Sequence, residues 1–235
     1  MTKHDACEVA YENGYQKGLE DSSVIFVRGC DCVSNAKVFG LSDSIRRAKF
    51  PMSVDVEKLN NTLTPGIQAL AQSGQGEGHD QWLTGVVVQF DLTFSNKVWP
   101  EAERYHFFDF VSSQSTMHRI ARFDFDNAYI KYVDPRMIDI MKEKVEKYNE
   151  LCNEHATTVD DAEALIEKKN RQYLEILYSN PAGCLITAGM TTNYRQLKTI
   201  YHQRKKHRLP EWRSFCRWIE TLPNSELITG KCKAQ

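Results

Sequence analysis

The sequence predicts an α+β fold, in which long β-strands pack with several helices in one domain. Apolar and polar residues alternate in TGVVVQFDLTFS, as in a half-buried strand. Several segments of the second half instead repeat apolar residues every three or four positions, as helices do. No linker divides the 235 residues, so we expect a polar N-terminal arm over residues 1–22 and a single domain over residues 23–235.

The first half of the chain is predicted to hold two strands and short helices. SVIFVRG, at 23–29, has the composition of an opening strand, and a short helix should follow from Ser42 to Lys49 with Ser42 as its N-cap. Apolar spacing from Val54 to Ala71 indicates a helix, which Pro65 should divide into two pieces. The glycine-rich segment 73–81 is predicted to be a loop that leads into the long strand.

The second half is predicted to be mostly helical. Lys97 to Asp109 is interpreted as a helix that leads into a serine-rich loop, whereas the pattern of residues 121–133 favours neither a helix nor a strand. Further helices are expected from Pro135 to Cys152, from Thr158 to the NPAGC segment, over about 191–206, and from Pro210 onward.

Composition excludes several classes of protein. With 41% hydrophobic and 26% charged residues the chain is an ordinary globular protein, and its net charge of −1 creates no general attraction for nucleic acid. No run approaches 18 apolar residues, and the first 14 residues contain no apolar signal core. We therefore expect a cytoplasmic protein without a membrane partner, in the host cytoplasm if a phage encodes it.

The seven cysteines indicate neither a disulfide framework nor a metal site. They are odd in number and scattered, which predicts reduced thiols. Cys30 and Cys32 have one residue fewer between them than a CxxC redox pair, and no second close pair completes a zinc site. No Pro-Cys dipeptide occurs, which argues against a thymidylate synthase that uses a cysteine nucleophile.

The segment NYRQLKTIYHQRKKHRLPEWRSFCRW, residues 193–218, combines basic and aromatic residues on a helical pattern. It resembles the C-terminal signature of flavin-dependent thymidylate synthases, the ThyX family. The spacing from Asn193 through Arg195 to Arg204 matches that signature without a gap, and His207 and Trp212 follow in the expected order. In the family, the arginine at the position of Arg204 holds the pyrimidine nucleotide.

A second segment, YHFFDFVSSQSTM at 105–117, resembles the Arg-His-Arg-x-x-Ser-x-x-x-x-Ser-x-Arg element of the same family. His106 and Ser115 occupy the histidine and second-serine positions. Tyr105 and Phe107 stand where two flavin-contacting arginines belong, while Phe110 and Met117 replace the first serine and the last arginine. A frame shifted by one residue would align Arg104 with the first arginine.

The resemblance implies a set of site residues. Arg204 would be the catalytic residue, since a guanidinium can fork onto a pyrimidine carbonyl or a phosphate. The substrate would also contact Ser113, Gln114, Ser115 and Arg119, the last in place of the arginine lost at Met117. The cofactor contacts would be His79, Arg104, His106, Asn193, Arg195 and His207, and no metal ligand is expected.

Each of these residues also has an ordinary structural interpretation. Arg204 could be a surface arginine, the serines a turn, His79 a solvated loop residue and His106 a partly buried helix residue. Arg195 and Arg204 are nine residues apart, about 180° around a helix, so they should not serve one ligand group. Arg195 could act across an oligomer interface or simply cap a neighbour.

Three functional hypotheses follow. The first is a divergent, phage-type ThyX enzyme, a homotetramer with sites at subunit interfaces, which would use FAD, methylenetetrahydrofolate and NADPH to methylate or hydroxymethylate dUMP or dCMP. The second is a pyrimidine-nucleotide-binding protein that kept the fold and lost the flavin reaction. The third is an RNA- or DNA-contacting protein that uses the basic, aromatic segment 194–218. The near-neutral net charge disfavours this last hypothesis.

Overall fold

The computed structural model describes residues 24–74 and 76–231, and the predicted α+β fold is confirmed. The predicted N-terminal arm, residues 1–22, lies outside the described residues. A five-stranded sheet has the order β1-β2-β3-β5-β4. Its strands are β1 (Val24–Val27), β2 (Val33–Phe39), β3 (Val87–Ser95), β4 (Phe108–Ser113) and β5 (Leu185–Asn193).

Strand β3 corresponds to the long strand predicted from the segment TGVVVQFDLTFS. Its alternation places Val88, Phe90, Leu92 and Phe94 in the core. Strand β2, which the sequence analysis did not predict, pairs antiparallel with both β1 and β3, with Val38 opposite Val88. Its register shifts between Ser34 and Lys37, where Asn35 has a positive φ of 52°. This irregularity breaks the two-residue period by which a strand is identified in a sequence.

The helices are α1 (Leu41–Arg47), α2 (Pro65–Ala71), α3 (Trp99–Ala102), α4 (Thr116–Arg119), α5 (Pro135–Asn153), α6 (Val159–Ser179), α7 (Tyr194–Arg204), α8 (Pro210–Ile219) and α9 (Glu226–Thr229). Short 3-10 helices occupy Phe50–Met52, Val56–Lys58, Gln81–Gly85 and Ile120–Arg122.

Several local predictions need correction. Ser42 is not the N-cap of α1, because the helix begins at Leu41 after Gly40, whose φ of 70° favours glycine. The predicted helix from Lys97 to Asp109 is wrong: only the four residues of α3 are helical, and β4 begins at the buried Phe108. A helix does begin at Pro65, with Thr64 as the N-cap of α2, but the first predicted piece is wrong, because only the 3-10 helix Val56–Lys58 is helical between Val54 and Thr64.

The described residues divide into two compact units: unit 1 contains residues 24–74, 76–92, 101–112 and 188–231, and unit 2 contains residues 93–100 and 113–187. An aromatic cluster fills part of the core of unit 1. Phe90 has its ring centroid 5.7 Å from that of Phe215 and 5.1 Å from that of Trp218, and Phe108 lies 6.1 Å from Phe90. Helix α8 supplies two of these rings, Phe215 and Trp218.

Unit 2 is built mainly from α5 and α6. Their buried faces enclose Met141, Val145 and Ile176, together with Ile120 and Phe125 from the segment between α4 and α5. Asp134 and Thr158 cap the two helices by accepting hydrogen bonds from the backbone N–H groups of Arg136 and Asp161. Among the residues described, no helix has the length and apolarity needed to cross a membrane.

Candidate functional site

Helix α7 carries two of the predicted site residues, Arg195 and Arg204, and two more, Asn193 and His207, lie just before and just after it. The predicted helix over 191–206 begins at Tyr194, because residues 191–193 still belong to β5. Asn193 is the N-cap: its side-chain oxygen accepts a hydrogen bond from the backbone N–H of Gln196 at 2.9 Å. Asn193 is 9% exposed. Its oxygen therefore serves the helix, and its geometry is fixed by the strand-to-helix transition.

One end of α7 contains an ion-pair cluster, here called the Asp80 cluster and formed by Asp80, Gln81, Arg195 and Lys198. The Arg195 Nε lies 3.0 Å from the Asp80 Oδ1, and its Nη1 donates to the Gln81 side-chain oxygen at 2.7 Å. The Lys198 Nζ donates to Asp80 Oδ2 at 2.9 Å. It also donates to the carbonyl oxygens of Ala71 and Ser73, each at 2.8 Å. The cluster thus joins the predicted loop 73–81 to α7.

The electrostatics of Asp80 follow from these contacts. Burial alone would raise the pKa of its carboxyl group, but the hydrogen bonds and positive charges of Lys198 and Arg195 outweigh burial and hold the pKa below its usual value. The side chains of Asp80 and Lys198 are only 8% and 13% exposed. Two cations therefore share one buried carboxylate, and Arg195 already has protein partners.

The other end of α7 contains a second cluster, here called the Arg204 cluster and formed by Glu101, Tyr105, Arg204, His207 and Trp212. The Arg204 Nε donates to the Tyr105 hydroxyl at 2.7 Å, and its Nη1 donates to Glu101 Oε2 at 2.9 Å. The same Nη1 lies 2.9 Å from the His207 Nε2. Trp212 Nε1 donates to the same Glu101 oxygen at 3.1 Å.

Aromatic rings surround the Arg204 guanidinium, which lies 5.0 Å from the ring centroid of Trp212 and 5.5 Å from that of Tyr105. Burial raises the pKa of the Tyr105 hydroxyl, although its hydrogen bond from Arg204 acts in the opposite direction. The Arg204 side chain is 17% exposed. Its Nη2 donates to none of the described residues, so one edge of the guanidinium remains for a ligand oxygen.

Arg195 and Arg204 contact different partners, in agreement with their predicted separation around the helix. Of the predicted site residues, the structure brings Arg204 and His207 into direct contact. Tyr105, aligned with a lost arginine of the family element, belongs to the same cluster. The sequence analysis missed Asp80, Glu101 and Lys198, since each finds its partner about a hundred residues away and no local pattern marks it.

The turn before β4 presents three further predicted or aligned residues. Arg104 and His106 are exposed, and Phe107 is 65% exposed with a φ of 58°. A positive φ is uncommon for a bulky residue. The Thr192 hydroxyl donates to the Phe107 carbonyl oxygen at 2.6 Å and stabilises this conformation. His106 lies in a turn rather than in the predicted helix, and His79 is exposed in the loop before Asp80.

The predicted phosphate-binding residues after β4 belong to unit 2. Gln114 makes both of its contacts with Thr187: its backbone N–H donates to the Thr187 carbonyl at 2.9 Å, and its side-chain oxygen accepts from the Thr187 N–H at 2.9 Å. Ser115 precedes α4 without a side-chain cap bond, while Ser113 and Arg119 are exposed. Their hydroxyl and guanidinium groups remain accessible to a ligand.

No cluster of three or more potential His, Cys, Asp or Glu ligands for a metal occurs within 24–74 and 76–231. The elements and contacts described above define an α+β protein with a mostly cationic and aromatic candidate site. No protein-family model and no curated protein sequence matches the chain.

Solved structures define the fold further. A crystal structure of the flavin-dependent thymidylate synthase ThyX from Helicobacter pylori, complexed with FAD and dUMP, matches with a TM-score of 0.50 and 13% identity, over 88% of this chain and 97% of that one. A second structure of ThyX from the same organism, with FAD and dUMP, gives a TM-score of 0.50, 12% identity, and coverage of 88% and 96%. The chain therefore has a divergent ThyX-like fold, as the sequence resemblance predicted.

Proposed function

We propose that this protein binds a pyrimidine deoxynucleotide, dUMP or dCMP, and methylates or hydroxymethylates it with FAD, as a divergent enzyme of the flavin-dependent thymidylate synthase type. The observation that carries the proposal is the ThyX-like fold, which extends over 88% of the chain and provides Arg204 at the end of α7. Methylenetetrahydrofolate would supply the carbon and NADPH the reducing equivalents.

Arg204 is the proposed pyrimidine-binding and catalytic residue. Its Nε and Nη1 are held by Tyr105 and Glu101, so the plane of the guanidinium is fixed before a ligand arrives. The Nη2 edge would donate to a uracil or cytosine carbonyl and stabilise negative charge that develops there during the reaction. Because Trp212 and Tyr105 lie against the guanidinium and its side chain is only 17% exposed, this contact would be stronger than one made in water.

The sequence resemblance assigns the nucleotide phosphate to the last residue of β4 and to the segment that follows it. Ser113, Ser115 and Arg119 offer two hydroxyl groups and one guanidinium, a donor set suited to phosphate oxygens. Gln114 would act mainly by fixing the segment, since its backbone N–H and side-chain oxygen are both bonded to Thr187. Arg119 would provide the charge that the family element has at the position of Met117.

FAD would be held by exposed side chains that can donate hydrogen bonds. His79, Arg104 and His106 are exposed and can contact phosphate or ring atoms of a dinucleotide. Asn193, Arg195 and His207 fit a supporting role better, because each is engaged by the protein: Asn193 with Gln196, Arg195 with Asp80, and His207 with Arg204. When bound, the flavin supplies hydride chemistry that no side chain can provide.

The test of the site is isothermal titration of dUMP and dCMP into the wild type and three variants. Arg204→Ala should weaken binding by about 2–4 kcal/mol, because it removes a charged donor from a partly desolvated pocket. Arg204→Lys should recover only part of this, since a lysine lacks the planar fork. Lys206 is an exposed lysine two residues away, and Lys206→Ala is the control for a general loss of positive charge.

Equal losses for Arg204→Ala and Lys206→Ala would contradict the site assignment and favour a diffuse basic surface. That outcome would support the hypothesis of an RNA- or DNA-contacting protein. The enzyme itself is tested by the visible absorbance of oxidised flavin in the purified protein and by formation of methylated nucleotide from dUMP or dCMP.

A second candidate function is nucleotide binding without flavin chemistry. The observation that favours it is the Tyr105–Arg204 contact at 2.7 Å, in which a residue aligned with a flavin-contacting arginine serves the protein instead. Colourless protein that takes up no added FAD, yet binds dUMP in the titration, would select this candidate. Light scattering in solution tests the proposed homotetramer, and a strict monomer would contradict sites shared between subunits.

A further inference from the structure

The hairpin turn between β1 and β2 holds two cysteines in a closed geometry. Cys30 and Val33 exchange two backbone hydrogen bonds, of 2.8 and 3.2 Å, so that Asp31 and Cys32 form a two-residue loop. Gly29 is required beside this turn, because a Cβ atom at that position would lie 2.2 Å from the Val33 carbonyl oxygen. The backbone of the turn therefore fixes the positions of both cysteines.

The two thiols lie close together in different environments. Cys30 Sγ and Cys32 Sγ are 3.5 Å apart, and a disulfide would require them to approach by roughly 1.5 Å. Cys30 is exposed, whereas Cys32 is buried, with 7% exposure. Ser214, on α8, favours the ionised form of both sulfurs and lowers the pKa of each. One sulfur can thus meet a solute while the other is kept from solvent.

The contacts around the turn stabilise a thiolate on Cys30 and a thiol on Cys32. A hydrogen bond from the Cys32 thiol lowers the pKa of Cys30 to about 6 against the effect of burial, with help from the backbone N–H groups of Cys32 and Val33 and from Ser214. The same contact with Cys30, burial, and the charges of Cys30 and Asp31 raise the pKa of Cys32, against Ser214. The pair shares one proton, which stays on the buried sulfur.

We propose that Cys30 and Cys32 form a redox-active dithiol that exchanges with low-molecular-weight disulfides, with Cys30 as the nucleophile and Cys32 as the resolving residue. The Cys30 thiolate attacks a disulfide RSSR, forms a mixed disulfide and releases RS⁻. The Cys32 thiol gives its proton to that RS⁻ and attacks the Cys30 sulfur, which forms the Cys30–Cys32 disulfide and releases the second RS⁻. The protein loses two electrons, and RSSR is reduced to RSH and RS⁻.

Two alternative roles for the pair fit the structure less well. A metal site would need further ligands, and no group of three potential metal ligands occurs among the described residues. An inert structural pair would be buried on both sides, yet Cys30 is exposed. The spacing of the two cysteines differs from that of a CxxC motif, so the sequence alone does not indicate a redox pair. The two sulfurs are close because the hairpin turn holds them together.

The proposal is tested on the full-length protein with glutathione disulfide as the probe. Trypsin cleavage after Arg28 and Lys37 releases the peptide of residues 29–37, which contains both cysteines and no others. After exposure to the probe, acid quenching and alkylation, mass spectrometry of the wild type should show this peptide as the internal disulfide, reversible by dithiothreitol. Cys32→Ala should instead accumulate the glutathione adduct on Cys30, and Cys30→Ser should remain unmodified.

Cys32 is buried, so Cys32→Ser serves beside Cys32→Ala, and circular dichroism confirms that each variant is folded. Failure of the wild-type peptide to form the internal disulfide would overturn the proposal. Accumulation of a stable adduct in the wild type would also overturn it, since Cys32 would then not resolve Cys30. Because these measurements follow thiols only, their outcome is independent of nucleotide or flavin binding.

A rate measurement distinguishes an activated thiolate from mere exposure. At pH 6, iodoacetamide should label Cys30 about tenfold faster than an ordinary thiol, as the larger thiolate fraction outweighs the lower nucleophilicity of a low-pKa sulfur. Cys152, also exposed, is the comparison within the same chain. Ser214→Ala should shift the labelling midpoint of Cys30 to higher pH. Equal rates for Cys30 and Cys152 at pH 6 would contradict the activation of Cys30.

Discussion

The two ends of α7 use the same kind of side chain in different ways. In the Asp80 cluster, Arg195 and Lys198 share a carboxylate that is 8% exposed, and the Lys198 Nζ makes three hydrogen bonds. In the Arg204 cluster, one arginine faces one carboxylate between two aromatic rings and keeps a nitrogen without a partner among the described residues. The first arrangement uses all three Lys198 donors on protein oxygens and stabilises the fold, whereas the second holds a single arginine in a fixed orientation between a carboxylate and aromatic rings.

The largest expected effect is a loss of stability when the Asp80 cluster is disrupted, which distinguishes its structural role from the ligand-binding role proposed for the Arg204 cluster. Asp80→Ala should lower the free energy of unfolding by about 3 kcal/mol, because it leaves the buried Lys198 ammonium and the Arg195 guanidinium without their carboxylate. Urea denaturation followed by circular dichroism measures this change. Asp43→Ala is the control: its exposed pair with Arg47 should be worth no more than about 0.5 kcal/mol. Similar losses for the two variants would contradict the structural role of the Asp80 cluster.

The same carboxylate predicts a pH dependence. Since the pKa of Asp80 is lowered in the folded protein, its contribution is complete above its unfolded pKa of about 3.9 and is lost as the pH falls through the lower folded pKa. The stability difference between the wild type and Asp80→Asn should stay constant from pH 7 to about 5 and shrink below about pH 4. A difference that grows with acidity would show that Asp80 is not stabilised as a carboxylate.

A smaller effect is expected at the other end of the helix. Glu101→Gln should lower stability by about 1–2 kcal/mol, because the Arg204 guanidinium loses its counter-charge while Trp212 keeps an acceptor. Affinity for dUMP should rise about threefold, since the uncompensated positive charge attracts the anionic nucleotide. Glu103→Gln, an exposed change in the same segment, should alter neither quantity. Weaker dUMP binding by Glu101→Gln would mean that Glu101 positions Arg204 more than it neutralises it.

The smallest effect concerns the turn that presents Tyr105 to Arg204. Phe107→Gly should raise the free energy of unfolding by about 1 kcal/mol, because glycine adopts the φ of 58° without the steric cost of a Cβ atom. Phe107→Ala removes the same ring but keeps the Cβ atom, so the difference between the two variants isolates the backbone contribution. Equal stability of the two variants would show that the turn is not strained at this position.

Periodicity predicted the elements whose packing is local or regular. Strand β3, helices α5 and α6, and the buried face of α8 each bury residues at the spacing of their own secondary structure. Strand β2 was missed because its irregularity at Asn35 disrupts the alternation. The helix expected from Lys97 failed because Phe108 belongs to a strand whose neighbour, β5, is about eighty residues further along the chain.

The sequence predicted the basic residues of the candidate site but not the acidic ones. Arg204 and His207 could be identified because their spacing copies a known signature, and they do contact each other. The partners that decide what Arg204 can do, Glu101 and Tyr105, lie 103 and 99 residues away in the chain. A local pattern contains no information about such a pairing, and Phe107 likewise gives no sequence signal of its positive φ.

The contacts of Lys198 determine how the fold would respond to insertions in the glycine-rich loop 73–81. Its ammonium group contacts the carbonyl oxygens of Ala71 and Ser73 on one side of the glycine-rich loop and the carboxylate of Asp80 on the other. The two ends of the loop are therefore held together whatever lies between them, and each doubling of its length adds only about 0.6 kcal/mol of closure entropy. Residues inserted after Gly76 would enlarge the loop that carries His79 while α7, and with it Arg204, stays in place.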